Sequence, residues 1–224
     1  MKLQAQFQIL FSISLGYRYA CSASFQAFRW RQRSPLSLHM SSSTDVSTEV
    51  NAIAWELIDK VEACSAGQIG VKATEEEQAE IDECVQKLTS VAGEQNDAAY
   101  FPLTGDHDLL YSMSAGGSSG AIGPFVGKVT QKFVDDEQFI NGVKLGPLSV
   151  ELLAIRNILD GTRIRVKFQE TTIKLFGFEV SRSETKGAGV WKNLYVSEIE
   201  RDGDKRLLRV METPSLFIIQ QKIS

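Results

Sequence analysis

Gly116-Gly117-Ser118-Ser119-Gly120 has the spacing of a Gly-x-Ser-x-Gly nucleophile elbow. That motif works where a strand turns sharply into a helix, leaving the serine exposed for a later histidine to take its proton. Here Ala121-Ile122-Gly123-Pro124 follows, and no histidine occurs after His107. The stretch therefore reads as a glycine-serine loop that could act as a flap at a barrel mouth. His107 lies between Asp106 and Asp108, whose charges would raise its pKa. Neighbours on a strand point to opposite faces, so the three do not converge, and a surface-loop histidine is expected. Asp135-Asp136-Glu137 reads as a solvated turn rather than a cation site. Gly187-Ala188-Gly189 lacks the third glycine and the strand-to-helix setting of a dinucleotide loop. Cys21, Cys64 and Cys84 are too few and too scattered for a zinc site or a disulfide framework. No nucleophile with its base, no metal set and no cofactor loop emerges, so a non-catalytic protein is expected.

The elements that must position these residues are of two kinds. Ile53, Leu57, Ile58 and Val61 fall on one face of a helix over 46–64, with most charges elsewhere. Gly67 and Gly70 end it, and Thr74-Glu75-Glu76-Glu77 opens a second helix with a capping box. Ile81, Cys84, Val85 and Leu88 form its apolar face. After Tyr100 the period changes to two. Ile164, Val166 and Phe168 alternate with Arg163, Arg165 and Lys167, which marks a strand with one buried face. Val129, Gln131 and Phe133 alternate in the same sense, and 109–113, 148–155, 190–197, 206–211 and 215–223 supply further strands. Turns are expected at Asp135-Asp136-Glu137, Gly146-Pro147, Asp160-Gly161 and Asp202-Gly203. Many short strands at this spacing predict a sandwich or a closed antiparallel barrel.

Charge is uneven along the 224 residues. The first 44 contain Lys2, Arg18, Arg29, Arg31 and Arg33 and no acid, leaving a body with 19 basic and 28 acidic residues. An acidic body lacks the basic surface that nucleic acid requires. No run of about 18–20 apolar residues is present to span a bilayer as a helix. The leader combines an apolar stretch over 7–16, small residues at Ala20-Cys21-Ser22-Ala23, and a Ser- and Arg-rich segment over 24–43. That tandem is the composition of a signal peptide followed by a transit peptide, similar to the bipartite presequence of algae whose plastid lies inside the secretory route. No Asn-x-Ser/Thr sequon and no paired cysteines support a secreted product.

Several segments, in order, resemble the plastid lipid-associated protein family, the fibrillins of plastoglobules. Leu103-Thr104-Gly105-Asp106-His107-Asp108-Leu109-Leu110-Tyr111-Ser112 is similar to its opening strand, and Gly127-Lys128-Val129-Thr130-Gln131-Lys132-Phe133 to its Gly-x-x-x-Gln strand. Asn141 matches an Asn through which the family continues a strand, which argues against a turn at Asn141-Gly142. Tyr195, Leu208-Arg209-Val210 and Ser215-Leu216-Phe217-Ile218-Ile219 resemble the closing pair, and Gly70 with Thr74-Glu75-Glu76 the link between the helices. The chain departs from the pattern at Asp106 to Asp108, where a Trp is usual, and at Thr213-Pro214, where a Gly is usual.

The resemblance implies a mainly β fold, a lipocalin-like antiparallel β-barrel preceded by an α-helical pair. On this reading 1–23 is a signal peptide, 24–45 a plastid transit peptide, 46–95 a helical segment and 96–224 the barrel. It implies binding of lipids, fatty acids, isoprenoid quinones or carotenoids, and peripheral attachment to plastoglobules or thylakoids. The alternative is a carrier or interaction module supporting a plastid lipid- or quinone-biosynthetic enzyme. A barrel of about eight strands can hold one small ligand. Alternation gives Tyr111, Phe133, Ile164, Val166, Phe168 and Tyr195 as inward residues. A buried headgroup needs a polar anchor, and Arg209 between Leu208 and Val210 is the candidate, with an outward arginine the alternative. The last strand is apolar on both faces, Leu216 and Ile218 on one and Phe217 and Ile219 on the other. One face must then meet the core and the other a covering helix, a partner or lipid. Docking of the helix pair is the structural expectation, and direct contact with a lipid surface the functional one.

Overall fold

The computed structural model describes residues 43–64, 69–113, 120–122, 125–213 and 215–223. The leader over 1–42 and residues 116–119 of the glycine-serine loop lie outside the described residues.

Helix α1, Ser43–Ala63, and helix α2, Glu75–Ala92, run antiparallel, tied by Lys60–Glu80 at 3.0 Å and Lys87–Glu56 at 3.4 Å. The capping box at the start of α2 is formed both ways. The Glu77 amide donates to Thr74 Oγ1 at 3.2 Å, and the Thr74 amide donates to Glu77 Oε2 at 2.7 Å. This satisfies two amides that the first helical turn leaves without partners.

The strands are β1 Gly105–Ser112, β2 Ala121–Ile122, β3 Phe125–Val126, β4 Lys128–Phe133, β5 Gln138–Leu145 and β6 Leu148–Ile158. They continue as β7 Arg163–Leu175, β8 Phe178–Glu184, β9 Ala188–Arg201, β10 Asp204–Glu212 and β11 Leu216–Ile223. Their order is β6-β5-β4-β1-β11-β10-β9-β7-β8, and β6 pairs with β7, closing a lipocalin-like ring of eight antiparallel strands. Strand β8 stands outside the ring on the same edge of β7 as the start of β9, so β8 and β9 follow one another along that edge.

The expected turn over Asp135 to Glu137 is present, with Asp135 Oδ1 accepting from the Glu137 and Gln138 amides at 2.8 and 2.6 Å. Asn141 accordingly continues β5, opposite Gln131. Asp202 and Gly203, at φ 53° and 84°, form the two-residue hairpin expected of an Asp-Gly pair. Strand β8 was not foreseen. Its hairpin turns on Phe176-Gly177, both at positive φ, and phenylalanine is no turn signal.

The last strand is used on both faces. Leu216 and Ile218 pack into the cluster that holds α1 and α2 against the ring, while Phe217 and Ile219 pack inside the ring. Each such burial contributes about 1.5–3 kcal/mol. Tyr111 and Tyr195 correct the simple alternation, because both face the helices and not the interior. A bulge at Leu110, between Leu109↔Ile219 and Tyr111↔Ile218, turns Tyr111 outward. A second bulge at Leu194, between Asn193↔Met211 and Tyr195↔Val210, does the same for Tyr195. One inserted residue reverses every side chain beyond it.

Candidate ligand-binding site

Arg209 lies on β10 between Val196 of β9 and Ile219 of β11, and is 1% exposed. Alternation from Leu207 and Met211, both in the interior clusters, turns it inward. Its Nη1 donates to Gln131 Oε1 at 3.2 Å, its Nη2 contacts Met211 Sδ at 3.0 Å, and its guanidinium lies 5.3 Å from the Phe133 centroid. Its Nε is buried without a partner, and among the described residues no carboxylate pairs with it. Burial, with the like charge of Arg156 second, pulls its pKa down to about 9, so it stays charged at neutral pH.

Around it stand three further polar groups. His107 corrects the surface-loop expectation: it sits inside β1 and is fully buried. The inward parity that brings Leu109 into the core also brings His107, and sends Asp106 and Asp108 outward. His107 Nε2–H donates to the Thr104 carbonyl at 3.2 Å, which leaves the neutral ring's Nδ1 as a buried acceptor without a partner. Burial, helped by the Arg209 charge, lowers the His107 pKa to about 4. Arg156 of β6 donates from Nε to the Asp136 carbonyl at 2.5 Å and lies 5.4 Å from the Phe133 centroid. Burial lowers its pKa, partly offset by Asp136 and Asp135. Gln131 of β4 completes the set.

The apolar surroundings differ at the two ends. On one side Phe133, Phe139, Ile164, Val166 and Leu207 form a tight core, with Phe168 half-buried against it. The short turn Ala98–Tyr100 stops this end, its Ala99 amide donating to the Gly161 carbonyl at 2.7 Å. Toward the other end Leu109, Val129 and Val143 each retain 7% exposure, beside half-buried Val126, Trp191 and Phe217. This cluster meets Arg209 through Met211, whose Sδ lies 3.0 Å from Arg209 Nη2. Of the seven expected site residues, the ring thus gathers Phe133, Ile164, Val166 and Arg209, holds Phe168 at the margin, and sends Tyr111 and Tyr195 to the helices. His107, Gln131, Phe139 and Arg156 escaped sequence reasoning. The Val129, Gln131, Phe133 alternation and the match to the Gly-x-x-x-Gln strand were the signals that pointed to Gln131.

Outside the ring, a groove of about 850 Å³ runs between α2 and the ends of β9, β10 and β11, with Asp82, Glu94 and Glu212 among its walls. The buried Asn193 beside it leaves Oδ1 unpaired.

The family model PAP_fibrillin matches residues 55–211, from the middle of α1 to the end of β10. No curated protein and no solved structure matches the chain.

Proposed function

We propose, from the premise that this chain belongs to the PAP_fibrillin family of plastid lipid-associated proteins, that it is a non-catalytic carrier of a single-chain lipid. The lipid would lie in the ring with an anionic headgroup at Arg209. The observation that carries this reading is the buried Arg209 guanidinium with an unpaired Nε and no carboxylate partner among the described residues. An uncompensated buried charge costs several kcal/mol. An anionic headgroup would supply the missing counter-charge through charge-assisted hydrogen bonds.

The tail would run from Arg209 past Met211 among Leu109, Val129 and Val143. Phe133, Ile164, Val166 and Phe168 would close the space beyond the headgroup. Tyr111 and Tyr195 then serve to seat the helix pair rather than to touch the ligand. In this reading the protein works in the plastid, peripherally attached to plastoglobules or thylakoids, and its ligands are fatty acids or other amphiphiles of the same shape.

The groove beside α2 favours a second reading, a module that docks a partner enzyme of plastid lipid or quinone synthesis. Mass spectrometry of lipids that co-purify with the protein from its native tissue tests the first. Enrichment of a single-chain anionic lipid over a washed control is expected, and the absence of any enriched lipid contradicts it.

A further inference from the structure

Two buried polar atoms inside the ring have no partner, and they are of opposite kinds. Arg209 Nε carries a hydrogen and meets no acceptor, while His107 Nδ1 carries a lone pair and meets no donor. The Thr104 carbonyl fixes the second assignment. A carbonyl oxygen can only accept, so the neutral ring's one proton sits on Nε2, 3.2 Å away. Both side chains close on the same two residues. The His107 ring meets the Phe133 ring edge-on at 5.1 Å, and the Arg209 guanidinium carbon lies 5.3 Å from the same centroid. His107 also stands directly across the β1–β4 ladder from Gln131, whose Oε1 accepts from Arg209 Nη1 at 3.2 Å. A buried donor or acceptor left unmade costs its full desolvation.

Resting on the reading of Arg209 as the anchor of an anionic headgroup, we propose that this headgroup is a hydroxy acid. Its carboxylate is held by Arg209, and a hydroxyl on the adjacent carbon donates to His107 Nδ1. A plain carboxylate serves only half of the pair. It has acceptor oxygens alone, so beside Arg209 it turns a lone pair toward the lone pair of His107. Nor does His107 supply the missing proton, because burial and the Arg209 charge keep its ring neutral, with a pKa of about 4. A phosphate monoester fits less well, since it loses its second proton at about pH 6 and at neutral pH is mostly acceptor too. An alcohol hydroxyl keeps its hydrogen at neutral pH and donates it. Handedness follows from the same geometry. Carboxylate, hydroxyl and tail leave one carbon in three directions, so a single enantiomer serves Arg209, His107 and the apolar surroundings of Met211 at once.

The test titrates four probes calorimetrically into the full-length protein: hexadecanoate, the two enantiomers of 2-hydroxyhexadecanoate, and the isomer with its hydroxyl at the far end of the chain. One 2-hydroxy enantiomer should bind about fivefold or more tightly than hexadecanoate, the worth of one neutral hydrogen bond. It should exceed its mirror image and the far-end isomer as well. His107→Phe should lower the affinity for that enantiomer about fivefold more than it changes the affinity for hexadecanoate. In the parent, the nitrogen-15 resonance of His107 Nδ1 should move upfield with the preferred enantiomer, as a lone pair that accepts a hydrogen bond does, and not with hexadecanoate. That readout does not depend on the variant folding. A preference that survives His107→Phe, or an Nδ1 resonance that ignores the hydroxy acid, overturns the proposal. Equal binding of hexadecanoate and both enantiomers overturns the hydroxyl alone and leaves Arg209 as an anion anchor, whereas binding of none of these acids overturns both.

Discussion

Arg156 and Arg209 lie over one ring, that of Phe133, with their guanidinium carbons 5.4 and 5.3 Å from its centroid. Only Arg156 has acidic company, at the Asp135-Asp136 turn. Arg209 has a ring, an amide oxygen and a thioether sulfur, which stabilise a cation less than a carboxylate does. This asymmetry makes Arg209 the group that a bound anion would complete.

Arg209→Met should therefore leave the ligand-free protein about as stable as the parent. Removing an unpaired buried charge offsets the ~1–3 kcal/mol of leaving Gln131 without its donor. Thermal melts of the two proteins check this. A loss above about 4 kcal/mol would mean that Arg209 is a structural brace.

Phe139→Ala should behave in the opposite way. Phe139 stacks on Phe133 at 5.4 Å and meets Trp191 at 5.7 Å, so its loss opens a cavity at the stopped end of the ring. The expected cost is about 3–5 kcal/mol, read from urea denaturation.

Gly161→Ala tests the stopper. A Cβ at position 161 would sit 1.5 Å from the Asn96 carbonyl oxygen, a backbone atom that cannot move without lifting the Ala98–Tyr100 turn. A destabilisation of about 1–3 kcal/mol is expected, with faster amide exchange at Ala99. Unchanged exchange there would show that the turn does not depend on this contact.

His107 should make stability fall in acid. Burial lowers its folded-state pKa from the ordinary 6.5 to about 4, so between those values the unfolded chain holds the extra proton. Its neutral, buried ring thus contributes fully above pH ~6.5 and loses that contribution as pH falls toward ~4. Urea midpoints at pH 7 and pH 4.5 should diverge more in the parent than in a His107→Gln variant. Equal divergence would place the acid sensitivity elsewhere.

Much of this frame was legible in the residues. Ile164 and Val166 alternate with exposed Arg163 and Arg165 as a half-buried strand must, the Thr74 capping box formed, and the doubly apolar 216–219 stretch did receive a helix pair on one face. What escaped has physical causes. The bulges at Leu110 and Leu194 carry no glycine to announce them, yet they turn Tyr111 and Tyr195 away from the interior. His107 was misjudged because its acidic neighbours suggest solvent, whereas on a strand they only mark the outer face. The β7–β8 hairpin was hidden by a phenylalanine at a turn position that usually takes Asn or Gly.

The decisive measurement is a side-by-side titration of palmitate and hexadecanol into the full-length protein and its Arg209→Met variant. Both probes carry the same chain and differ in charge. The parent should bind palmitate at least tenfold more tightly than hexadecanol, and Arg209→Met should abolish that preference while still binding the alcohol. Equal affinity of the parent for the two probes, or a palmitate preference that survives Arg209→Met, would contradict an anion-holding role for Arg209.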